Sequence, residues 1–288
     1  MNVGVVGNHR YPELPGLLAQ LAELAPARGI TLFSEARLGD LWPAAPAALD
    51  GTPLDVLLAF GGDGTLLRGA RLLEGRGVPI LGINLGKVGF LTTVPRDTLA
   101  NALDALVSGR YVTEPRQALR TTVLEPNGQS TALDLALNDV VVHKGGVARV
   151  IRLDVMVQGE SVGPYSADGI IVATPTGSTA YSLSAGGPIV VPGVQALVIT
   201  PICAHTLAVR PLVFPAAWDV VIQPADPAEE DVIVSVDGQV ATHLHPGARV
   251  HVRAAEAPVL LMRVGPESYF QRMRRKLHWG DLTDRSPI

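Results

Sequence analysis

The sequence predicts an α/β domain built on a parallel sheet, followed by a β-rich domain. Three observations carry this. The first third alternates short apolar runs with segments of helical period. The stretch from Gln117 to Val264 reads almost wholly as strands. A last segment, Ser268–Leu277, returns to helical spacing and is basic. The expected boundaries are residues 1–112, residues 113–267, and a tail, 268–288, that packs back on the first domain.

In order along the first domain, Val3–Val6 is a short apolar strand. Leu14–Arg28 has helical spacing and stops at Gly29. Ile30–Phe33 is a second strand, and Leu41–Pro53, rich in Pro and Ala, is a loop or short helix. Asp55–Phe60 is a third strand, Thr65–Leu73 a helix, Pro79–Ile83 a fourth strand and Asp97–Ser108 a helix. Strands separated by helices imply parallel pairing. In the second domain strands are expected at 120–124, 134–143, 151–157, 169–173, 196–200, 218–223, 232–237, 249–253 and 258–264. The turns Pro126-Asn127-Gly128, Asp237-Gly238 and Pro246-Gly247 punctuate them.

Composition bounds the partners. With 288 residues and 47% apolar content, two cores are within reach. A formal net charge of −4 argues against nucleic acid or an anionic membrane as partner, because both need a broad basic surface. The single cysteine, Cys203, allows no internal disulfide and no cysteine metal cluster, which fits a cytoplasmic protein. Met1–Gly7 reads as strand and lacks the basic n-region of a signal peptide. No apolar run reaches the roughly 18 residues that a membrane span needs. His143, His205, His243 and His245 lack metal-site spacing, so no protein metal site is expected.

The chemistry concentrates in a few segments. Gly61-Gly62-Asp63-Gly64-Thr65 follows the apolar run ending at Phe60. Its glycines remove Cβ atoms and let backbone N–H groups face phosphate oxygens around one acid, Asp63. The plain alternative is a strand-to-helix turn with Asp63 as the cap. Gly82–Leu91 is a glycine-spaced loop leaving the next strand, at the sheet edge where open α/β sheets bind ligands. Asn138-Asp139 lies within an apolar strand and offers an amide and a carboxylate to a diol; an edge-strand bulge is the alternative. Asp168–Pro188 runs from a buried strand into a loop rich in hydroxyls and glycine, and its Thr176, Ser178 and Thr179 either cap a helix or bind a ligand. Asp237-Gly238-Gln239 is, on its own, an ordinary hairpin signal.

Taken in order, these segments resemble the NAD kinase family over nearly the full chain. The residues that carry the resemblance are Gly61–Thr65, the loop 82–91, Asn138-Asp139, Thr174–Tyr181 with Ser184–Pro188, Pro201–Leu212 and Asp237–Gln239. The chain departs from the family at Asp139, usually Glu, and at Ser166, where many bacterial relatives have Arg. The resemblance implies a Rossmann-like sheet in the first domain and transfer of the γ-phosphoryl of ATP, or of polyphosphate, to the 2′-hydroxyl of the adenosine ribose of NAD. It implies Asp63 as proton acceptor and Gly61, Gly62, Gly64, Thr65 and Arg68 at the donor phosphates, with Mg²⁺ carried on those phosphates. For NAD it implies Asp63, Gly64, Phe90, Asn138, Asp139, Arg149, Ser166, Asp168, Thr179, Ala180, Tyr181, Ser184 and Gln239. It also implies a homodimer or homotetramer built through the β-rich domain. Two rivals share some of these features: a lipid kinase, which has the same glycine turn, and a dinucleotide sensor that binds without turnover.

Overall fold

The computed structural model describes residues 1–73, 75–86, 89–146, 150–206, 208–225 and 231–279. The chain divides into two compact units, Met1–Glu114 with Leu260–Ile288, and Pro115–Val259.

In the first unit the strands are β1 (Asn2–Gly7), β2 (Thr31–Ser34), the two-residue β3 (Ala47–Ala48), β4 (Val56–Gly61), β5 (Ile80–Asn84), β6 (Val94–Pro95) and β7 (Val112–Arg116). Helices α1 (Leu14–Leu24), α2 (Asp63–Leu73) and α3 (Leu99–Val107) alternate with them. The helical pattern expected to run to Arg28 breaks at Pro26, whose ring and missing N–H end α1. A short 3₁₀ turn, Pro26–Arg28, comes next and closes on Gly29 at φ 65°.

Among the described residues of the second unit the elements are strands, one short helix and a 3₁₀ turn. It comprises β8 (Leu119–Leu124), β9 (Ser130–Ala132), β10 (Asp139–Lys144), β11 (Ile151–Val157), β12 (Glu160–Ala167), β13 (Gly169–Ala173), α4 (Tyr181–Ser184), β14 (Ala196–Ile202), β15 (Leu212–Pro215), β16 (Val220–Pro224), β17 (Val232–Val236), β18 (Gln239–His243) and β19 (Arg249–Ala254). The chain then returns to the first unit with β20 (Val259–Arg263) and α5 (Tyr269–Leu277).

The first sheet has the order β3-β2-β1-β4-β5-β20-β7, with β6 also on β5. The pairs β1–β2, β1–β4, β4–β5 and β5–β20 are parallel. All six residues of β4 are buried, as a central strand covered on both faces requires. The expected α/β architecture is thus present. One strand differs: the run expected at 258–264 in the second domain pairs Leu261 with Ile80 and extends the first sheet.

The second unit packs two antiparallel sheets, β15-β14-β13-β10-β17-β18 and β12-β11-β16-β19-β8-β9. Their inner faces share one core that includes Val140, Val142, Leu153, Ile170, Leu197, Val234 and Val250. Alternation along β10 then sets the direction of its other side chains. Val140 and Val142 point into that core, so Asp139, Val141 and His143 point to the other face of the sheet.

Candidate active site

Three segments meet beyond the carboxyl ends of β1, β4 and β5. The Asn8 N–H donates to the Phe60 carbonyl at 3.0 Å, and the Leu85 N–H donates to the Gly61 carbonyl at 3.2 Å. Gly61 is glycine because a Cβ there would lie 2.2 Å from Thr65 Oγ1. Among the described residues, the nearest atom to a Cβ at Gly62 would be the Tyr11 hydroxyl at 3.7 Å, and at Gly64 nothing lies within 4 Å. The backbone of this turn is therefore open to a ligand.

Helix α2 begins at Asp63, which places the acid in the first helical turn rather than at the tip of a loop. Its Oδ2 accepts the Phe90 N–H at 2.8 Å. Its Oδ1 accepts the Leu91 and Thr92 N–H groups, each at 3.1 Å, and the Thr92 hydroxyl at 3.3 Å. A Cβ at Gly89 would overlap this carboxylate, 1.9 Å from Oδ1. The Phe90 carbonyl accepts Arg272 Nη1 at 2.9 Å, so buried Arg272 of α5 holds the same loop from the other side. Among the described residues Oδ2 carries a single donor, and it keeps lone-pair capacity for another. Arg68 is committed elsewhere: its guanidinium forks onto the Glu35 carboxylate and donates to the Gly7 carbonyl at 2.8 Å.

In the second unit a cavity of about 470 Å³ opens on the outer face of the β10 sheet. Its walls include Asn138, Asp139, Asp168, Ala180, Tyr181 and Asp237. Asp139 is 3% exposed. Burial, with the neighbouring Asp237 charge adding to it, pushes its carboxyl up to about 7, and the Tyr181 N–H opposes this. Lys144 Nζ pairs with Asp168 at 2.6 Å. His143 Nδ1 faces the Lys144 carbonyl at 2.9 Å; a carbonyl can only accept, so Nδ1 donates, and Nε2 lies 2.9 Å from the Ser235 hydroxyl. Gly177 presses so close to β10 that a Cβ there would lie 2.0 Å from the Asn138 carbonyl oxygen.

The model of the ATP-NAD kinase N-terminal domain matches residues 3–111, and that of the C-terminal domain matches residues 137–264. The chain belongs to the NAD kinase family. It is 47% identical to the NAD kinase of Gemmatimonas aurantiaca over 285 residues, 99% of this chain and 98% of that one. With the Geobacter sulfurreducens NAD kinase it shares 41% over 273 residues, 94% and 95% of the two chains. Among solved structures, yeast NADH kinase complexed with NADH matches with a TM-score of 0.86 at 26% identity, covering 100% of this chain and 90% of that one. An Archaeoglobus fulgidus NAD kinase in complex with ATP gives 0.74 at 25% identity, covering 96% and 99%. As an NAD kinase the chain is a phosphotransferase that phosphorylates NAD. The lipid-kinase alternative falls with the two domain matches.

Of the NAD-kinase residues expected from sequence, the cavity gathers Asn138, Asp139, Asp168, Ala180 and Tyr181. Ser166, Thr179, Ser184 and Gln239 do not line it. Ser166 lies on β12 in the other sheet, and the Thr179 hydroxyl donates to the Thr176 carbonyl at 3.1 Å. Arg149 lies outside the described residues. Asn138-Asp139 stands at the start of β10 rather than in a strand interior, because Asp237 takes the amides of residues 137–139. Thr174, Ser178 and Ser182 are buried and bond to Leu137, Pro175 and Thr200, so these hydroxyls hold the loop together. The cavity also includes His143, Lys144 and Ser235, which no sequence motif marks, and Asp237, which belongs to the Asp237–Gln239 motif but is not among the expected NAD contacts. His143 was legible in principle, since positions 139, 141 and 143 share one strand face.

Asp139 makes a pH-dependent contribution to stability with a definite sign. Its folded-state value is about 7 against 3.8 for the free group, so between those values the folded state holds a proton that the unfolded state has lost. Stability therefore falls as pH rises from about 4 to about 7, and the penalty is complete above that. Asp139→Asn is expected to be more stable than wild type at pH 8 by on the order of 2–4 kcal/mol, and nearly equal to it at pH 4. Denaturant unfolding of both proteins at the two pH values checks this. Equal stability at pH 8 would mean that the carboxyl carries no burial penalty.

Proposed function

We propose that the chain moves the γ-phosphoryl of ATP to the 2′-hydroxyl of the adenosine ribose of NAD. The 2′-oxygen forms a bond to phosphorus, the bond from the γ-phosphorus to the bridging oxygen breaks with its electrons leaving on ADP, and the hydroxyl proton goes to Asp63 Oδ2. The observation that carries this is the Asp63 carboxylate. Three backbone amides fix its position, yet Oδ2 retains capacity for one more donor, beside glycines 62 and 64 whose backbones are open. Phosphoryl transfer needs mainly positioning and charge neutralisation, and this arrangement suits both.

On this reading Gly61–Thr65 receive the donor phosphates, with the first turn of α2 adding its N-terminal dipole. Arg68, neutralised by Glu35, supports β1 and β2 rather than a phosphate. Asn138 and Asp139 take ribose hydroxyls, Tyr181 offers an exposed ring to a flat group, and Asp168 belongs to the nicotinamide half. Phe90, Thr179, Ser184 and Gln239 enter through the family resemblance. Mg²⁺ would be carried on the donor phosphates that Gly61–Thr65 receive. When bound it would neutralise the charge that develops on them. No helix among the described residues is long and apolar enough to cross a membrane, and the single cysteine fits a reducing cytoplasm. A homodimer or homotetramer formed through the second unit completes the proposal.

A matrix of NAD and NADH as acceptors against ATP and polyphosphate as donors tests it. NADP formation from NAD and ATP is expected, and it must vanish when divalent cation is chelated. NAD binding without turnover under any donor would mark a sensor instead.

A further inference from the structure

We propose that Asp237 is the positioning residue of the acceptor site: it fixes the Asn138–Asp139 backbone and, through its charge, governs when Asp139 offers a carboxylate to a ribose diol. This rests on reading the cavity as the NAD acceptor site. Three consecutive amides converge on this one carboxylate. Oδ2 accepts Leu137 N–H at 3.0 Å, and Oδ1 accepts Asn138 N–H at 2.7 Å and Asp139 N–H at 3.2 Å. The Asp237 N–H answers by donating to the Asp139 carbonyl at 2.9 Å.

A hairpin alone does not explain this acid. The turn holds residue 237 at φ 48°, in the left-handed region that Gly, Asn and Asp all enter, so the conformation admits an acid without requiring its charge. The charge lies against a second, buried acid and raises that acid's affinity for a proton. What the carboxylate gains is a grip on three amides that would otherwise lack partners at the mouth of β10. The other groups facing Asp139 leave this coupling in place. His143 on its own strand is bonded to Lys144 O and Ser235, and Lys144, the one Lys or Arg among the described lining residues, is paired with Asp168 from the β12–β13 junction. From the 177–184 segment Tyr181 contributes its N–H.

A hydroxyl pair donates best to an ionised carboxylate, so NAD binding releases the Asp139 proton. The test is calorimetric titration of the full chain with NAD alone, from pH 5.5 to 9, for wild type and Asp237→Asn. Asn tolerates the left-handed turn and keeps one acceptor. In wild type the affinity should rise through a midpoint near 7. In Asp237→Asn the plateau at pH 9 should drop roughly tenfold as the grip on the amides loosens, and the midpoint should move to lower pH. A purely structural role would lower the plateau without moving the midpoint; an unmoved midpoint, or an unchanged plateau, overturns the proposal. Should Asp237→Asn not fold, Asp139→Asn tests whether Asp139 is the group that titrates. It should bind NAD without the pH step, and a step persisting at the wild-type midpoint overturns the proposal. Wild type that makes NADP yet shows no step defeats this inference alone, whereas wild type that binds no NAD at any pH defeats the acceptor-site reading with it.

Discussion

Asp63→Asn should fold, bind NAD, and turn over at least about a hundredfold more slowly than wild type, the lower end of what a positioned general base contributes. The carboxylate is held by the amides of Phe90, Leu91 and Thr92 and by the Thr92 hydroxyl. Asn can keep its carbonyl oxygen toward Leu91 and Thr92. Its NH₂ then faces the Phe90 N–H, a clash of donors that costs about 1–3 kcal/mol of stability. A modest fall in melting temperature is therefore part of the expectation. The chemical loss is separate: no ionised oxygen remains to take the 2′-hydroxyl proton. Because that role is exercised mainly in the transition state, the Michaelis constant for NAD should change little while the turnover number collapses. Turnover within tenfold of wild type would return Asp63 to holding the 89–92 loop and nothing more.

The second large effect is expected at Gly62. Among the described residues a Cβ there meets nothing closer than the Tyr11 hydroxyl at 3.7 Å, so Gly62→Val should fold. Its isopropyl group would occupy the space through which phosphate oxygens approach the turn. Displacing the donor by even an ångström can cost on the order of a hundredfold, so turnover with ATP should fall by at least roughly that much. NAD affinity should stay at the wild-type value, because the proposed acceptor contacts lie on Asn138, Asp139 and Tyr181. Gly61→Ala makes a useful contrast: its Cβ would strike Thr65, so it should lose stability as well as turnover. If Gly62→Val loses NAD affinity in step with turnover, the donor and acceptor roles are not divided in this way.

Much of this architecture is legible in the sequence. The apolar run into Gly61 had to be a buried strand, and the period change at Thr65 had to be a helix. Together they placed the glycine turn at a sheet's carboxyl edge, where β4 and β5 in fact lie side by side. The features that escaped did so for physical reasons. Asp237-Gly238 reads as a hairpin because turn chemistry and side-chain capping use the same dipeptide, and only the fold shows three amides from a hundred residues earlier converging on that acid. The run at 258–264 reads as a strand, but strand character does not name the partner, and it joined β5 of the first sheet. The hydroxyls of 174–182 look like ligand contacts in sequence. In a buried loop the same groups satisfy main-chain polar atoms, as Ser178 does for Pro175 and Val190. The three-residue strand β9 carries too few residues for alternation to register.

The decisive measurement is the position of the transferred phosphoryl. Wild-type protein incubated with NAD, ATP and Mg²⁺ gives a product whose phosphorus NMR spectrum can be assigned through coupling to the ribose protons. One new phosphomonoester is expected, coupled to H2′ of the adenosine ribose, alongside an unchanged diphosphate and an equal amount of ADP. A phosphomonoester on any other hydroxyl, or ADP released without one, would contradict transfer to the 2′-oxygen.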